Sequence, residues 1–435
     1  METYRMFFGP PFPTGKPHYG HVINFVLKDI LLGVHKKMGI RVIGDDMRFD
    51  VHGLPTEIKV QEILKEDYAV NTIADILEKI GLKKYNEICK QYIREVMAQW
   101  PKEFEKLCPH IGYKGQSTMD LSYMDNLWKM FYTLHSKELI YEGKRIQPYS
   151  AKCETCVSNF EAKQNYKLVT ERSIHVLFKL KNDLILSDYE ITLNNVHVIV
   201  WTTTPFTLFA NTCICTNDKI SYSAFQIEKD DRWYIASNKF ILTLANVMRQ
   251  FTLLHSDLFR QDYIPVYTYN PHGLYKIVKD DYVTEETGTG LVHCASAYGE
   301  DDYRVCCHYG VTEHFDPTDT KMRFIDPVSE EYKNREAREC NNDIIQELKE
   351  KNCLFKEEII KHELPHCWRT DKPLYYKLVP TVHLNIQKIK SKLISNFHKI
   401  KFPHENGKDK MLDTLEKAPD WCISRTRLWG TPIPI

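Results

Sequence analysis

The chain has 435 residues, 43% hydrophobic and 27% charged, which is the balance of a globular protein with room for two or three domains. Lys plus Arg equals Asp plus Glu at 58 each, so no global basic field marks it for nucleic acid. It holds no apolar run of about 18 residues and no basic-then-apolar leader, so neither a membrane span nor a secretory signal is expected, and its 13 cysteines read as reduced thiols of a cytoplasmic protein.

Tyr4-Arg5-Met6-Phe7-Phe8 reads as a first strand, and Gly9-Pro10-Pro11-Phe12-Pro13-Thr14-Gly15 as a tight loop. A helix follows, with Val22, Phe25, Val26, Ile30 and Val34 at helical spacing and Gly39 as its stop. Ile40–Gly44 reads as a second strand. Lys84–Leu107 predicts a long helix with Ile88, Tyr92, Ile93, Val96 and Trp100 on one side. Asp125–Leu139 predicts another, with Leu127, Met130, Phe131 and Leu134. Such alternation predicts a parallel sheet flanked by helices. Near residue 170 the texture turns β-rich, with candidate strands Ser173–Leu180, Val196–Thr203, Tyr222–Ile227, Arg232–Ala236 and Ile264–Tyr267. Helical patterns return at Cys340–Lys351 and Leu384–Phe397, and Trp421–Arg425 reads as a strand and turn.

Strand, tight loop and helix start is the layout of a phosphate site, because the helix end offers free N–H groups and a partial positive charge. His18 and His21 stand there three residues apart, on one face, where each can donate to charge developing on a phosphoryl oxygen. Alone, an H-x-G-H string is more often an ordinary helix start. Asp50, before Gly53-Leu54-Pro55, reads as a turn aspartate or as a carboxylate for an ammonium. Thr202-Thr203-Thr204 reads as plain β-propensity or as a polar cup that orients water, and Asp301-Asp302 as a helix cap or an anionic anchor. Cys153-x-x-Cys156 has zinc-knuckle spacing, and Cys367 could add a third thiolate. No fourth ligand stands in place, so zinc and free thiols both remain open.

The run GPPFPTGKPHYGH resembles the HIGH signature of class I aminoacyl-tRNA synthetases, and Phe49–Glu57 resembles the WDxHGLPxE segment of their isoleucine members. Trp201–Leu208, with Asn211 nine residues beyond Thr202, resembles the threonine-rich peptide of the family's editing pocket. Gly288–His293 and Gly299–Tyr303 resemble its other wall. The resemblance implies an α/β fold, a split Rossmann-type parallel sheet with a large, mainly β insertion. Residues 1–145 would be the first Rossmann half, 146–168 a connective segment with the CxxC, 169–360 the editing domain, 361–380 the return, and 381–435 the start of the second half. It implies ATP-binding at Gly9, Gly15, His18, Gly20 and His21, with His18 and His21 catalytic, and an amino-acid pocket at Pro10 and Asp50. It further implies an editing site of Thr202, Thr203, Thr204, Asn211, His293 and Asp302. The substrates would be ATP with Mg²⁺, isoleucine and tRNA(Ile), handled by a monomer. The editing need is physical, since a pocket for isoleucine rejects valine poorly, the standing example of that limit.

Departures from the family pattern are Arg48 for glycine, Phe49 for tryptophan, one extra residue between His21 and Asp50, Phe206 for tryptophan, and Phe209-Ala210 and Ser296 where proline is common. No KMSKS loop occurs before Ile435, so the chain reads as a piece of a longer enzyme, competent in editing alone. A valine or leucine enzyme, or a degenerate tRNA-binding fragment, are the alternatives.

Overall fold

The computed structural model describes residues 3–7, 9–68, 76–157, 159–286, 288–368, 370–402 and 405–434. Phe8 of the expected first strand and Arg369 of the expected return segment lie outside these. Two compact units are present, one of residues 1–142 with 381–435 and one of residues 143–380.

In the first unit, β1 (Thr3–Arg5) leads through the proline-rich loop into α1 (Tyr19–Lys37), and β2 (Arg41–Ile43) pairs parallel with β1. Next come β3 (Asp46–Phe49), α2 (Leu54–Tyr68), α3 (Leu82–Phe104), β4 (Gly112–Ser117) and α4 (Leu121–Ser136), and β3 pairs parallel with β4. The parallel pairing expected from the alternation is there. Among the described residues it forms two separate two-stranded pieces, not one continuous sheet. The core gathers Phe25 and Leu32 of α1, Met47, Phe49 and Val51, and Ile93, Trp100 and Phe104 of α3.

Two expected helix faces are corrected. Ile30 and Val34 of α1 are exposed, because the buried stripe runs through Phe25, Asp29 and Leu32. Asp29 is buried because its Oδ1 accepts the His110 N–H at 2.6 Å. Helix α4 buries none of its residues. Trp128, Phe131 and Tyr132 instead line an open cavity of about 390 Å³ with Ile140, Tyr141 and Val382.

Strand β5 (Ile140–Ser150) carries the chain into the second unit, where β6 (Thr155–Cys156) folds back on Tyr149 and Ser150. The unit is built on β7 (Tyr166–Leu180), β8 (Leu184–Leu186), β9 (Ile191–Leu193), β10 (Val196–Thr202), β11 (Cys213–Thr216), β12 (Tyr222–Ile227), β13 (Trp233–Ser237), β14 (Val247–Thr252), β15 (Tyr263–Ile264), β16 (Ile277–Lys279) and β17 (Val292–Cys294). One sheet runs β14-β12-β13-β10-β7-β15, and β18 (Leu354–Pro365) also pairs with β7. A second runs β16-β11-β17. Strand β7 alternates exposed and half-buried residues near its start and is buried from Ser173 onward except at Lys179, as a strand entering a core must be. Helices α5 (Glu300–His308) and α6 (Asn341–Glu350) complete the unit.

Strand β19 (Tyr375–Leu384) returns the chain to the first unit, which ends with α7 (Lys390–Phe397), α8 (Glu405–Lys417) and β20 (Trp421–Cys422). The chain is thus mixed α/β with a large β-rich region. No helix among the described residues is long and apolar enough to cross a membrane.

Candidate functional sites

In the first unit, His18 is the N-cap of α1. Its Nδ1 accepts the Gly20 N–H at 3.1 Å, while His21 Nδ1 accepts the His18 N–H at 3.2 Å. This is a capping box built from imidazoles. A backbone N–H only donates, so both neutral rings must carry their proton on Nε2. The rings stack at 3.7 Å, which places two Nε2–H donors side by side. Burial, and secondly the neighbouring His18, hold the His21 pKa below its ordinary value, so the pair resists taking two charges.

Gly20 has a specific reason to be glycine, since a Cβ there would stand 3.0 Å from His18 Cε1 and 3.1 Å from its Nδ1. Gly9 and Gly15 differ, for a Cβ on either would meet open space. The loop itself is pinned by Trp100, whose Nε1 donates to Gly15 O at 2.8 Å, and by Tyr92, whose hydroxyl donates to Thr14 O at 2.9 Å. Trp100 also meets the His21 ring edge-on at 4.9 Å and Phe49 at 5.5 Å.

Asp50 is joined to the same loop through its N–H, which donates to Pro11 O at 3.0 Å, next to the exposed Pro10. Burial pushes its carboxyl up, against the pull of a hydrogen bond from the His52 backbone. It has no cationic partner among the described residues. Burial drives His52 down to about 4, and its ring packs edge-on against Trp429 at 5.2 Å. The sequence reading missed Glu57. Its buried carboxylate accepts from Arg427 Nη1 at 2.6 Å, Leu428 N at 2.8 Å and Trp429 N at 2.7 Å. An acid inside an apolar helix start, just after a Gly-Leu-Pro, was the available signal.

In the second unit, one chain of hydrogen bonds joins most of the expected polar residues. Thr202 Oγ1 accepts the Thr204 N–H at 3.1 Å, and the Thr204 and Thr207 hydroxyls lie 3.3 Å apart. Thr207 Oγ1 donates to Thr204 O at 2.7 Å and meets His293 Nε2 at 2.9 Å. Asn211 Nδ2 reaches His293 Nδ1 at 3.4 Å. Thr207 is the hub, and the threonine run as quoted for its first three members did not single it out. Thr203 stands outside these bonds.

His293 is buried, and that burial lowers its pKa to about 4. Both ring nitrogens are engaged, which leaves neither free to take a proton from water.

Asp302 does not join the threonines. Its Oδ2 accepts the Ala295 N–H at 2.9 Å, and its Oδ1 faces the Tyr282 hydroxyl at 3.4 Å, which also meets Cys294 Sγ at 3.4 Å. Neighbours on a strand face opposite ways, so the Cys294 surroundings that hold Asp302 differ from those of His293. Gly299 makes this possible, because a Cβ there would come within 2.7 Å of Asp302 Cγ. Although part of the side chain stays accessible, crowding by surrounding atoms raises its carboxyl well above the ordinary range. Like Asp50, it has no cationic partner among the described residues.

Among the described residues, no three His, Cys, Asp or Glu side chains are grouped to hold an ion. Cys156 sits in the short β6 strand, and Cys367 packs into an apolar cluster with Val157, Ala162 and Leu374. Cys153 packs against the same cluster, so zinc and free thiols both stay open for these three.

The whole chain, residues 1–435, matches the family described as tRNA synthetases class I (I, L, M and V). It is 34% identical over 447 residues to the isoleucine--tRNA ligase of Bdellovibrio bacteriovorus, across 100% of this chain and 40% of that protein. It is 33% identical over 481 residues to the cytoplasmic isoleucine--tRNA ligase of Arabidopsis thaliana, across 100% and 39%. The chain therefore spans about two fifths of the length of these relatives. Among solved structures, the editing domain of the P. falciparum cytosolic leucyl-tRNA synthetase aligns with TM-score 0.32 and 10% identity, over 43% of this chain and 99% of that one.

Proposed function

The chain belongs to the class I tRNA synthetases of the I, L, M and V group, and from that premise we propose that it is the catalytic and editing portion of an isoleucine--tRNA ligase. The whole enzyme would charge tRNA(Ile) with isoleucine in the cytoplasm, at the expense of ATP with Mg²⁺. In this reading residues 169–360 are the editing insertion, joined through 146–168 and 361–380 to the Rossmann halves 1–145 and 381–435.

For activation, the isoleucine carboxylate attacks the α-phosphorus of ATP and pyrophosphate leaves. The two Nε2–H groups of His18 and His21 would donate to the phosphoryl oxygens as charge builds there. Asp50 would hold the substrate ammonium, whose charge offsets the burial that otherwise disfavours the carboxylate.

For editing, water attacks the carbonyl carbon of a misattached valyl ester. The new carbon–oxygen bond forms as the ester bond breaks, the ribose oxygen takes up a proton, and free valine departs. Positioning supplies this rate, with the Thr204 hydroxyl, itself held by Thr207, orienting water, and Asp302, from the Cys294 side of β17, holding the α-ammonium. The observation that carries the reading is the buried hydroxyl–imidazole chain from Thr204 through Thr207 and His293 to Asn211. Incubating the chain with Val-tRNA(Ile) and following release of valine tests it. Deacylation by the parent and its loss in Asp302→Ala are expected. A parent that leaves the ester intact, or an Asp302→Ala variant as fast as the parent, would overturn it.

A further inference from the structure

We propose that Tyr263 is a positioning residue of the hydrolytic site, whose hydroxyl acts through the Asn211 amide to keep the His293 proton on Nε2. The inference rests on the editing reading above for its functional consequence, but its geometry is independent of it.

Tyr263 lies in β15, far from the threonine run in sequence, and is 2% exposed. Its ring is locked edge-on against Phe178 at 5.4 Å and its N–H donates to Tyr275 O at 3.0 Å. The hydroxyl donates to Asn211 Oδ1 at 2.6 Å. On its other side the Asn211 amide nitrogen faces Cys213 O at 3.4 Å, and a carbonyl can only accept. The Cys213 carbonyl sets the amide with its nitrogen toward His293 Nδ1, and the Tyr263 hydroxyl holds its oxygen on the opposite side.

That orientation decides the imidazole. An amide nitrogen only donates, so Nδ1 must accept and the proton must sit on Nε2. The far side agrees, because Thr207 spends its single hydroxyl hydrogen on Thr204 O and can only accept from His293 Nε2. The other tautomer would set two N–H groups head to head and leave a lone pair facing a lone pair. Tyr263 thus secures the oxygen end of an amide whose direction the Cys213 carbonyl sets, and with it the bonds from Asn211 to the Thr204 carbonyl. Replacing it with phenylalanine strands a buried acceptor and frees the amide, at a cost in packing of one oxygen atom.

Two variants of the chain test this. Tyr263→Phe removes only the hydroxyl. Asn211→Asp keeps an acceptor for Tyr263 but turns the group facing Nδ1 into an acceptor, which draws the proton to Nδ1. Imidazole ¹⁵N shifts of His293 are expected to report Nε2–H in the parent, a mixture in Tyr263→Phe and Nδ1–H in Asn211→Asp. Single-turnover deacylation of Val-tRNA(Ile) by Tyr263→Phe is expected to slow on the order of tenfold, the worth of one such hydrogen bond, with tRNA binding unchanged. An unchanged Nε2–H signal in either folded variant, or an unchanged rate in Tyr263→Phe, would overturn the proposal. If Tyr263→Phe does not fold, Asn211→Asp decides the tautomer alone. If the parent fails to deacylate, the editing reading falls while the imidazole signals still settle the relay.

Discussion

The Glu57 carboxylate meets the Arg427 guanidinium at 2.6 Å, with the two side chains 1% and 8% exposed. The same carboxylate accepts the backbone N–H groups of Leu428 and Trp429, and Trp429 Nε1 donates to Val51 O at 2.7 Å. One acid thus stitches the segment after Asp50 to residues near the far end of the chain. A buried ion pair of this kind is not free stability, because both ions lose their water. Its members become costly once one is removed.

Glu57→Ala should therefore destabilise the first unit by about 3 kcal/mol or more, since Arg427 and two N–H groups lose their acceptor together. Urea unfolding followed by tryptophan fluorescence measures this. A loss well under 1 kcal/mol would show that the pair carries little weight.

Gly20→Ala should disturb His18 before it disturbs the helix. The added methyl meets the imidazole at 3.0–3.1 Å, so the ring must give by a few tenths of an ångström from the position in which it caps α1. Weakening of the cap should cost up to about 1 kcal/mol, and the ring-current signature of the stacked His18–His21 pair should shift in the proton spectrum. Gly15→Ala, with open space around its Cβ, should change neither.

The second unit should weaken as acid is added, and His293 gives the sign. Its folded pKa, about 4, lies below the ordinary 6.5, so between those values the unfolded chain binds more protons than the folded one. The stability tied to its neutral form is fully present above pH 6.5 and is lost as pH falls toward 4, by roughly 3 kcal/mol if no other group compensates. Urea midpoints at pH 7 and pH 4.5 should differ by less in His293→Gln than in the parent.

Asp302→Asn should separate stability from activity. Crowding raises the Asp302 carboxyl and no cation among the described residues offsets it, so ionising it costs more in the folded chain than in the unfolded one. The amide should be as stable as the parent or more so in thermal melts, yet should lose deacylation of Val-tRNA(Ile). A variant that melts several degrees lower would show instead that the Ala295 and Tyr282 contacts are the main role of Asp302.

Much of the secondary structure was legible in the linear chain. The helix after His18, the long helix through Trp100, and the β-rich texture from residue 170 follow from apolar spacing and turn residues, which act over a few positions. Faces were less legible. Ile30 and Val34 fit the helical spacing of α1 as well as Leu32 does, and which of them is covered depends on elements distant in sequence. The long strands β18 and β19 read weakly because their polar and apolar residues come in short blocks and follow no period of two.

What the sequence determined by itself is the set of local pairings: His18 with His21 across one helix turn, Asp302 over Gly299, and threonines two and three residues apart. Tertiary structure alone decided where the remaining valences point. It turned Asp302 toward the Ala295 N–H, made Thr207 the hub, and brought Tyr263 to Asn211 and Arg427 to Glu57. The reason is that a buried polar atom must find a partner, and when the partner lies tens or hundreds of residues away no local pattern encodes the choice.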